Sequence, residues 1–338
     1  MKIKIFSKGY IVLIAGVLSI YLNSCNFGET GLPRSSGAIN EMLIITDSKT
    51  QWEGEFGDSL RAFFTRNQVG LPQPEPVFDV INIASKDLGD LFKKFHNIFI
   101  AEINPSMTSA RFEIQKNVWS DPQSIIKISA PDLQTFQAEF NARKDTISSV
   151  MNQLERKRTL ILNELSFEPK AAEAILNRFS ISLSIPGGFY VAEETSDFMW
   201  LRHRITKANQ DVELGIMIYS ADYADTVVFN PRHIISWRNL ITKEHIPGPS
   251  EGSFMKVSEE FVPPVFTIFP DFPSGYAMEA RGLWEVQNDW MGGAFVSYTF
   301  VNPKTSKVIT LDGYVYNPNN DKKNFIRHLE SIFWAVGF

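Results

Sequence analysis

Cys25 is the only cysteine among 338 residues. No disulfide can form within the chain, so whatever it folds into is held by packing. The same cysteine closes a distinctive N-terminal stretch. Lys2, Lys4 and Lys8 form a basic start, residues 10–22 are an apolar run broken by Gly16 and Ser19, and apolar character stops at Asn23, Ser24 and Cys25. A positive start, a short apolar core and a small residue before a cut are the grammar of a secretion signal. The apolar run is shorter than the roughly 20 residues a spanning helix needs, and no second run of its kind follows.

Leu22, Ser24 and Cys25 resemble the lipobox of bacterial lipoproteins, while Asn23 is larger and more polar than that pattern usually has. The resemblance implies that the Cys25 thiol takes a diacylglycerol, that residues 1–24 are removed and that the new amine is acylated. More than one acyl chain holds a protein stably to a bilayer, so the chain is expected to be anchored through Cys25 without spanning. Residues 25–40, rich in Gly, Pro, Ser and Asn, read as a flexible tether. Some lipoproteins that this signal resembles carry acidic residues right after the cysteine as a surface-export signal; here only Glu29 is acidic, so the resemblance implies the periplasmic face of the outer membrane.

Three lysines and no acid leave with the signal, so the remaining chain is more acidic than the formal −5 of the whole. That argues against nucleic acid or anionic lipid as the main partner. The length suggests two domains, and 27 Phe with 7 Trp can fill two cores.

The expected fold class is α+β, two sheet-plus-helix domains. In the first, 41–179, short apolar runs read as strands at 42–45, 78–83, 97–103, 111–118 and 125–129, with 97–103 and 111–118 as a pair. A long helix runs to residue 165 from a start at Ser129, Ala130, Pro131 and Asp132, and a shorter helix covers 171–179. In the second domain, 180–338, strict alternation over 179–185 predicts a strand. Further strands are expected at 198–205, 212–219, 263–270, 277–286, 293–301 and 307–316. Two helices complete it. One covers 231–244 with Ile234, Ile235, Leu240 and Ile241 inward. The other covers 321–336 with Phe325, Ile326, Leu329, Ile332, Phe333 and Val336 inward.

Pro72, Pro74 and Pro76 with Leu71, the Trp52-x-Gly54 turn, Pro247-Gly248-Pro249, and Arg281-Gly282-Leu283-Trp284 followed by Met291-Gly292-Gly293 resemble an uncharacterised family of Bacteroidota lipoproteins known as a domain of unknown function. The resemblance spans nearly the whole chain after the signal and brings no catalytic residue. Residues 185–189 and the last strand and helix also resemble the small α/β sandwich of extrinsic photosystem subunits, which implies a fold and no activity.

Chemistry-bearing motifs are few. Gly248-Pro249-Ser250-Glu251-Gly252 fits G-x-S-x-G, but a nucleophile elbow sits between a strand and a helix, and here a helix precedes. The histidines, His96, His203, His233, His245 and His328, share no metal-ligand spacing, so no metal or other cofactor is expected. Glu193-Glu194 and Glu259-Glu260 are adjacent, which on a strand sends them to opposite faces. The richest stretch holds Arg281, Trp284, Trp290 and Tyr298. A cation, aromatic planes and nearby glycines make it the candidate ligand or partner surface, and a packed strand corner is the plainer alternative. The sequence thus points to an envelope lipoprotein that binds or scaffolds, with an envelope protein as a partner. The alternative is an envelope hydrolase of glycan or peptide, using Ser250 with His233 or His245, or carboxylates among Glu279, Glu285 and Asp289.

Overall fold

A computed structural model describes residues 31–207, 210–260 and 262–338. The signal and Cys25 lie outside the described residues. The fold is α+β, with two sheets, each carrying its own helices.

The first sheet has five strands in the order β2-β1-β3-β5-β4: β1 Glu41–Thr46, β2 Asp79–Ala84, β3 Asn97–Ile103, β4 Arg111–Lys116 and β5 Ser124–Ala130. All pairs are parallel except β4 with β5. The expected β3–β4 pair does not form, because β5 lies between them. Charged Arg111, Glu113 and Lys116 keep β4 at the edge, where charge discourages further pairing. Helices α1 (Lys49–Glu53) and α2 (Glu55–Phe64) connect β1 to β2, and α3 (Asp90–Lys93) precedes β3. Helix α4, Leu133–Glu164, is capped by the Asp132 carboxylate accepting from Thr135 N at 2.8 Å, not by Ser129 as the proline-marked start suggests, because Ser129 and Ala130 still belong to β5. Its Phe136, Phe140, Ile147 and Met151 bury against Phe56, Leu60 and Phe64 of α2 on one sheet face.

Residues 31–40 are not a free tether. Ser35 N donates to Asp121 O, Asp121 N to Pro33 O at 2.9 Å, Ser36 N to Lys94 O and His96 N to Ser36 O. Backbone groups there are satisfied by the body itself.

The second sheet has eight antiparallel strands. Its main path is β10-β11-β12-β13-β8-β7-β6, and β9 shares the outer side of β11 with β10. The strands are β6 Tyr190–Glu194, β7 Phe198–Lys207, β8 Gln210–Asp222, β9 Met255–Ser258, β10 Val265–Phe269, β11 Ala277–Val286, β12 Gly292–Val301 and β13 Lys307–Tyr316. One face packs on α5 (Pro169–Phe179) and α7 (Lys323–Phe333), the other on α6 (Pro231–His245). Sequence spacing put α5 in the first domain, yet Ala171, Ile175 and Phe179 bury in the second core. Residues 180–185 keep their alternation, with Ile181, Leu183 and Ile185 buried, but join no ladder: Ser182 makes a lone bridge to Gly337. On α6, Leu240 is 62% exposed rather than inward. The buried stripe runs through Ile234, Arg238, Thr242 and His245, a helical repeat that leaves Leu240 outside.

Helix α7 joins the two halves. Its apolar side, Ile326, Leu329, Ile332 and Phe333, lies on the second sheet. Its other side, Lys323, Arg327, Glu330 and Ser331, is charged or polar and equally buried, against α4. Each polar group there has partners. Arg327 donates from Nε to Asn40 Oδ1 at 3.1 Å, from Nη1 to Glu330 Oε2 at 2.8 Å and from Nη2 to Asn152 Oδ1 at 2.8 Å. Arg281 of β11 reaches both Glu330 and Glu279, and Tyr298 donates to Glu279 at 2.5 Å. Burial alone would push the Glu330 carboxyl up, but the Arg281, Arg327 and Arg156 charges outweigh it and hold it low. The helix N-terminus is capped from the first domain: Glu75 accepts from Lys322 N and Lys323 N at 2.7–2.9 Å.

Two tests follow from this packing. Glu330→Gln leaves the Arg281 and Arg327 charges facing a neutral partner, and is expected to cost about 3–5 kcal/mol of unfolding free energy in urea titration. His328, half-buried on α7, has its pKa pulled down to about 4 by desolvation and then by the nearby His203. A folded-state pKa below the ordinary 6.5 favours the neutral ring, so its contribution is complete above pH 6.5 and is lost as pH falls towards 4. The drop is about 3 kcal/mol at most. His328→Gln should flatten the stability profile across that window.

Candidate functional site

The open side of the second sheet, the face that α6 covers only in part, carries a pocket of about 480 Å³. Its floor is made by alternate residues of adjacent strands, which point to one side of a sheet: Trp200 and Arg202 of β7, Glu213 of β8, Tyr314 and Tyr316 of β13, and Trp284 of β11. Met255, Met291 and Pro247 add apolar wall. Large rings fit on the sheet because glycines face them across the ladder. Tyr314 pairs with Gly215 and Trp284 with Gly293. A Cβ on Gly215 would fall inside the Tyr314 ring, and one on Gly293 would meet Trp284 and the Val315 carbonyl.

Polar groups form one connected chain beside these rings. Trp200 Nε1 donates to Tyr314 Oη at 3.2 Å, and Tyr314 Oη donates to Glu213 Oε1 at 2.9 Å. Arg202 grips Glu213 with both Nε (3.0 Å) and Nη2 (2.5 Å), and its guanidinium lies 4.8 Å from the Trp200 ring centre. Burial, with the Glu213 charge, raises the Tyr314 hydroxyl well above its ordinary pKa, so it stays a neutral donor. Behind the wall, Arg238 of α6 is buried and paired with Asp312 at 2.8 Å, tying α6 to β13. Asp312 is nonetheless pushed up by its burial.

A wider groove of about 970 Å³ adjoins the pocket and shares Trp284, Val286, Met291 and Tyr316 with it. Gln73 and Pro72 of the first domain line its far side, and Trp290 stands at its lip, fully exposed.

The four residues singled out in the sequence do not make one surface. Arg281 and Tyr298 meet through Glu279, in the buried network against α7. Trp284, three positions along β11 from Arg281, points to the opposite face and donates to Val315 O at 3.3 Å. Only Trp284 and Trp290 border the groove. Ser250 lies in the loop after α6. Its hydroxyl is 3.5 Å from Asp289 Oδ2, and neither histidine is its hydrogen-bond partner. His245 pairs with Glu193 at 2.6 Å and stacks on Phe198. Among the described residues no group of three His, Cys, Asp or Glu is placed to hold a metal ion, and no helix is long and apolar enough to cross a membrane.

Trp200, Arg202, Glu213 and Tyr314 were not picked out from the sequence. The signal was there in Trp200-x-Arg202-x-Arg204, whose alternation places three such side chains on one strand face, and in Gly215 between large neighbours.

Two family models match the chain: residues 168–335 match a domain of unknown function, DUF4837, and residues 35–162 match a second, DUF8532. The gap between them falls at the α4–α5 turn, where α5 begins to pack on the second sheet. No curated protein matches the chain. Among solved structures, that of LpqN, involved in cell envelope biogenesis of Mycobacterium tuberculosis, aligns over 46% of this chain and 81% of that one, at 13% identity and a TM-score of 0.27. A likeness that slight bears on neither fold nor function.

Gly215→Ala tests the floor. The added methyl must displace the Tyr314 ring, so a loss of about 1–3 kcal/mol is expected in chemical denaturation. Near-ultraviolet circular dichroism should register the disturbed Trp200 and Tyr314 environment.

Proposed function

We propose that this is a bacterial lipoprotein of the Bacteroidota type, held in the outer membrane by acyl chains on Cys25 with its body facing the periplasm. It acts by binding, and the pocket on the second sheet takes a saccharide segment of an envelope glycan. The lipobox-like Leu22-Asn23-Ser24-Cys25 supports the anchor.

The observation that carries the ligand class is the pairing of flat aromatic rings with a fixed Arg202–Glu213 fork. A sugar ring offers an apolar face to stack on an indole and hydroxyls that both donate and accept. The pocket supplies both kinds of contact within a volume ordinary for small-ligand sites, about 300–1,000 Å³. Glu213 is engaged by Arg202 and Tyr314, and Ser250 lacks a histidine partner, so binding is favoured over the hydrolase alternative.

Calorimetric titration of the full-length protein with an N-acetylglucosamine tetrasaccharide tests this. Trp200→Ala should weaken binding roughly tenfold or more, about 1.4 kcal/mol. Ser250→Ala should leave it unchanged. Absence of saturable binding, or equal binding by Trp200→Ala, would sink the proposal; loss in Ser250→Ala alone would restore the hydrolase.

A further inference from the structure

We propose that the C-terminal end of α4 and the turn after it rest on phospholipid headgroups of the membrane that holds the anchor. This rests on the reading of Cys25 as acylated.

The first support is the length of the leash. The chain is docked from Pro33 onward, through the hydrogen bonds to Asp121, Lys94 and His96. Eight peptide steps separate Cys25 from Pro33, and even fully extended they reach about 28 Å. The face of the body around Pro33 is therefore the one that stands at the bilayer.

The second support is what that face displays. Arg34 and Leu162 line one hollow of about 350 Å³, together with Lys157 and Ile161. Beyond it, Leu162 is 45% exposed, Leu165 66% and Phe167 46%. Leu162 and Leu165, three positions apart, lie on the same side of a helix. Large apolar side chains this exposed and this close together mark an interaction surface more often than chance packing does. Exposed Arg34, Lys157 and Lys170, with Arg158 in the hollow, surround them, and Asp121, Glu164 and Glu168 are the nearby acids. Apolar side chains entering the headgroup layer with cations at the phosphates is the pattern of an interfacial contact. The contact need not be strong by itself, because an anchored body meets the surface at high effective concentration.

The lone cysteine makes the test clean. Once acylated, Cys25 has no free thiol, so a cysteine placed elsewhere is the single labelling site. Leu165→Cys and Gln134→Cys are exposed positions near the two ends of α4, about 45 Å apart along the helix axis. Each full-length lipidated variant is labelled with bimane and placed in phosphatidylethanolamine–phosphatidylglycerol vesicles carrying brominated acyl chains. Quenching of roughly twofold or more at Leu165→Cys, with Gln134→Cys unaffected, is the expected result for a membrane-seated α4 end. Equal emission from both labels, while the protein still floats with the vesicles, would overturn it. Pyrene excimers at Leu165→Cys would overturn it in favour of a second copy on this face. If the unsubstituted protein itself takes up a maleimide, Cys25 is free and the anchor reading fails, an outcome distinct from a detached α4 end.

Discussion

Everything in this molecule hangs on the charged side of one amphipathic helix. Helix α7 buries its apolar side on the second sheet and its polar side on α4, so only Asn324 and, in part, Phe325 and His328 still meet water. Such a helix is tolerable only if each buried charge meets a partner. Glu330 supplies the centre, with Arg281 and Arg327 closing on it, and Asn40 and Asn152 take the remaining donors of Arg327. Gly70, at φ +77° and pressed against Arg281 and the Gly282 amide, lets the first-domain loop cover this centre. The two domains are thus joined mainly by hydrogen-bonded charge, with Leu71 of the first adding an apolar contact to the second core, which fixes their orientation by geometry more than by area.

The second sheet solves a different problem with the same strands. Its inner face is a core shared with α5 and α7, and its outer face is only partly roofed by α6. Along β11 the alternation assigns Glu279 and Arg281 to the charge centre, and Trp284 to the pocket wall. Pocket and domain joint are therefore back to back, separated by one sheet thickness. Side chains on the pocket face are braced by strands whose other face cannot move without disturbing buried ion pairs.

Much of this was legible in residue patterns. The apolar stripe of 321–336, the alternation of the later strands and the proline-marked start of α4 each follow from a single local period. Reading failed where partners distant in the chain decide the outcome. Arg281 and Trp284 look like one cluster in sequence, but three steps along a strand reverse the side. The stretch at 180–185 has the inward alternation of a strand, yet no neighbour offers it a ladder. Arg281 reads in sequence as part of a ligand surface, and only Glu279 with the distant Glu330 makes its burial tolerable; Arg238, which no local pattern marks, is buried against the distant Asp312. Residues 31–40 have the composition of a linker but find backbone partners at Lys94, His96 and Asp121.

The Glu75 cap has a consequence in time. Glu75 and the amides it holds are 247 and 248 residues apart. A chain emerging from the ribosome N-terminus first presents this buried carboxylate, the Pro72–Pro76 loop around it and the polar side of α4 long before α7 exists to meet them. The early half is left with its joint open until α7 arrives. Completion of the charge centre then reports that the chain has been made through to α7, so a product truncated before that point would expose the unpaired side of α4.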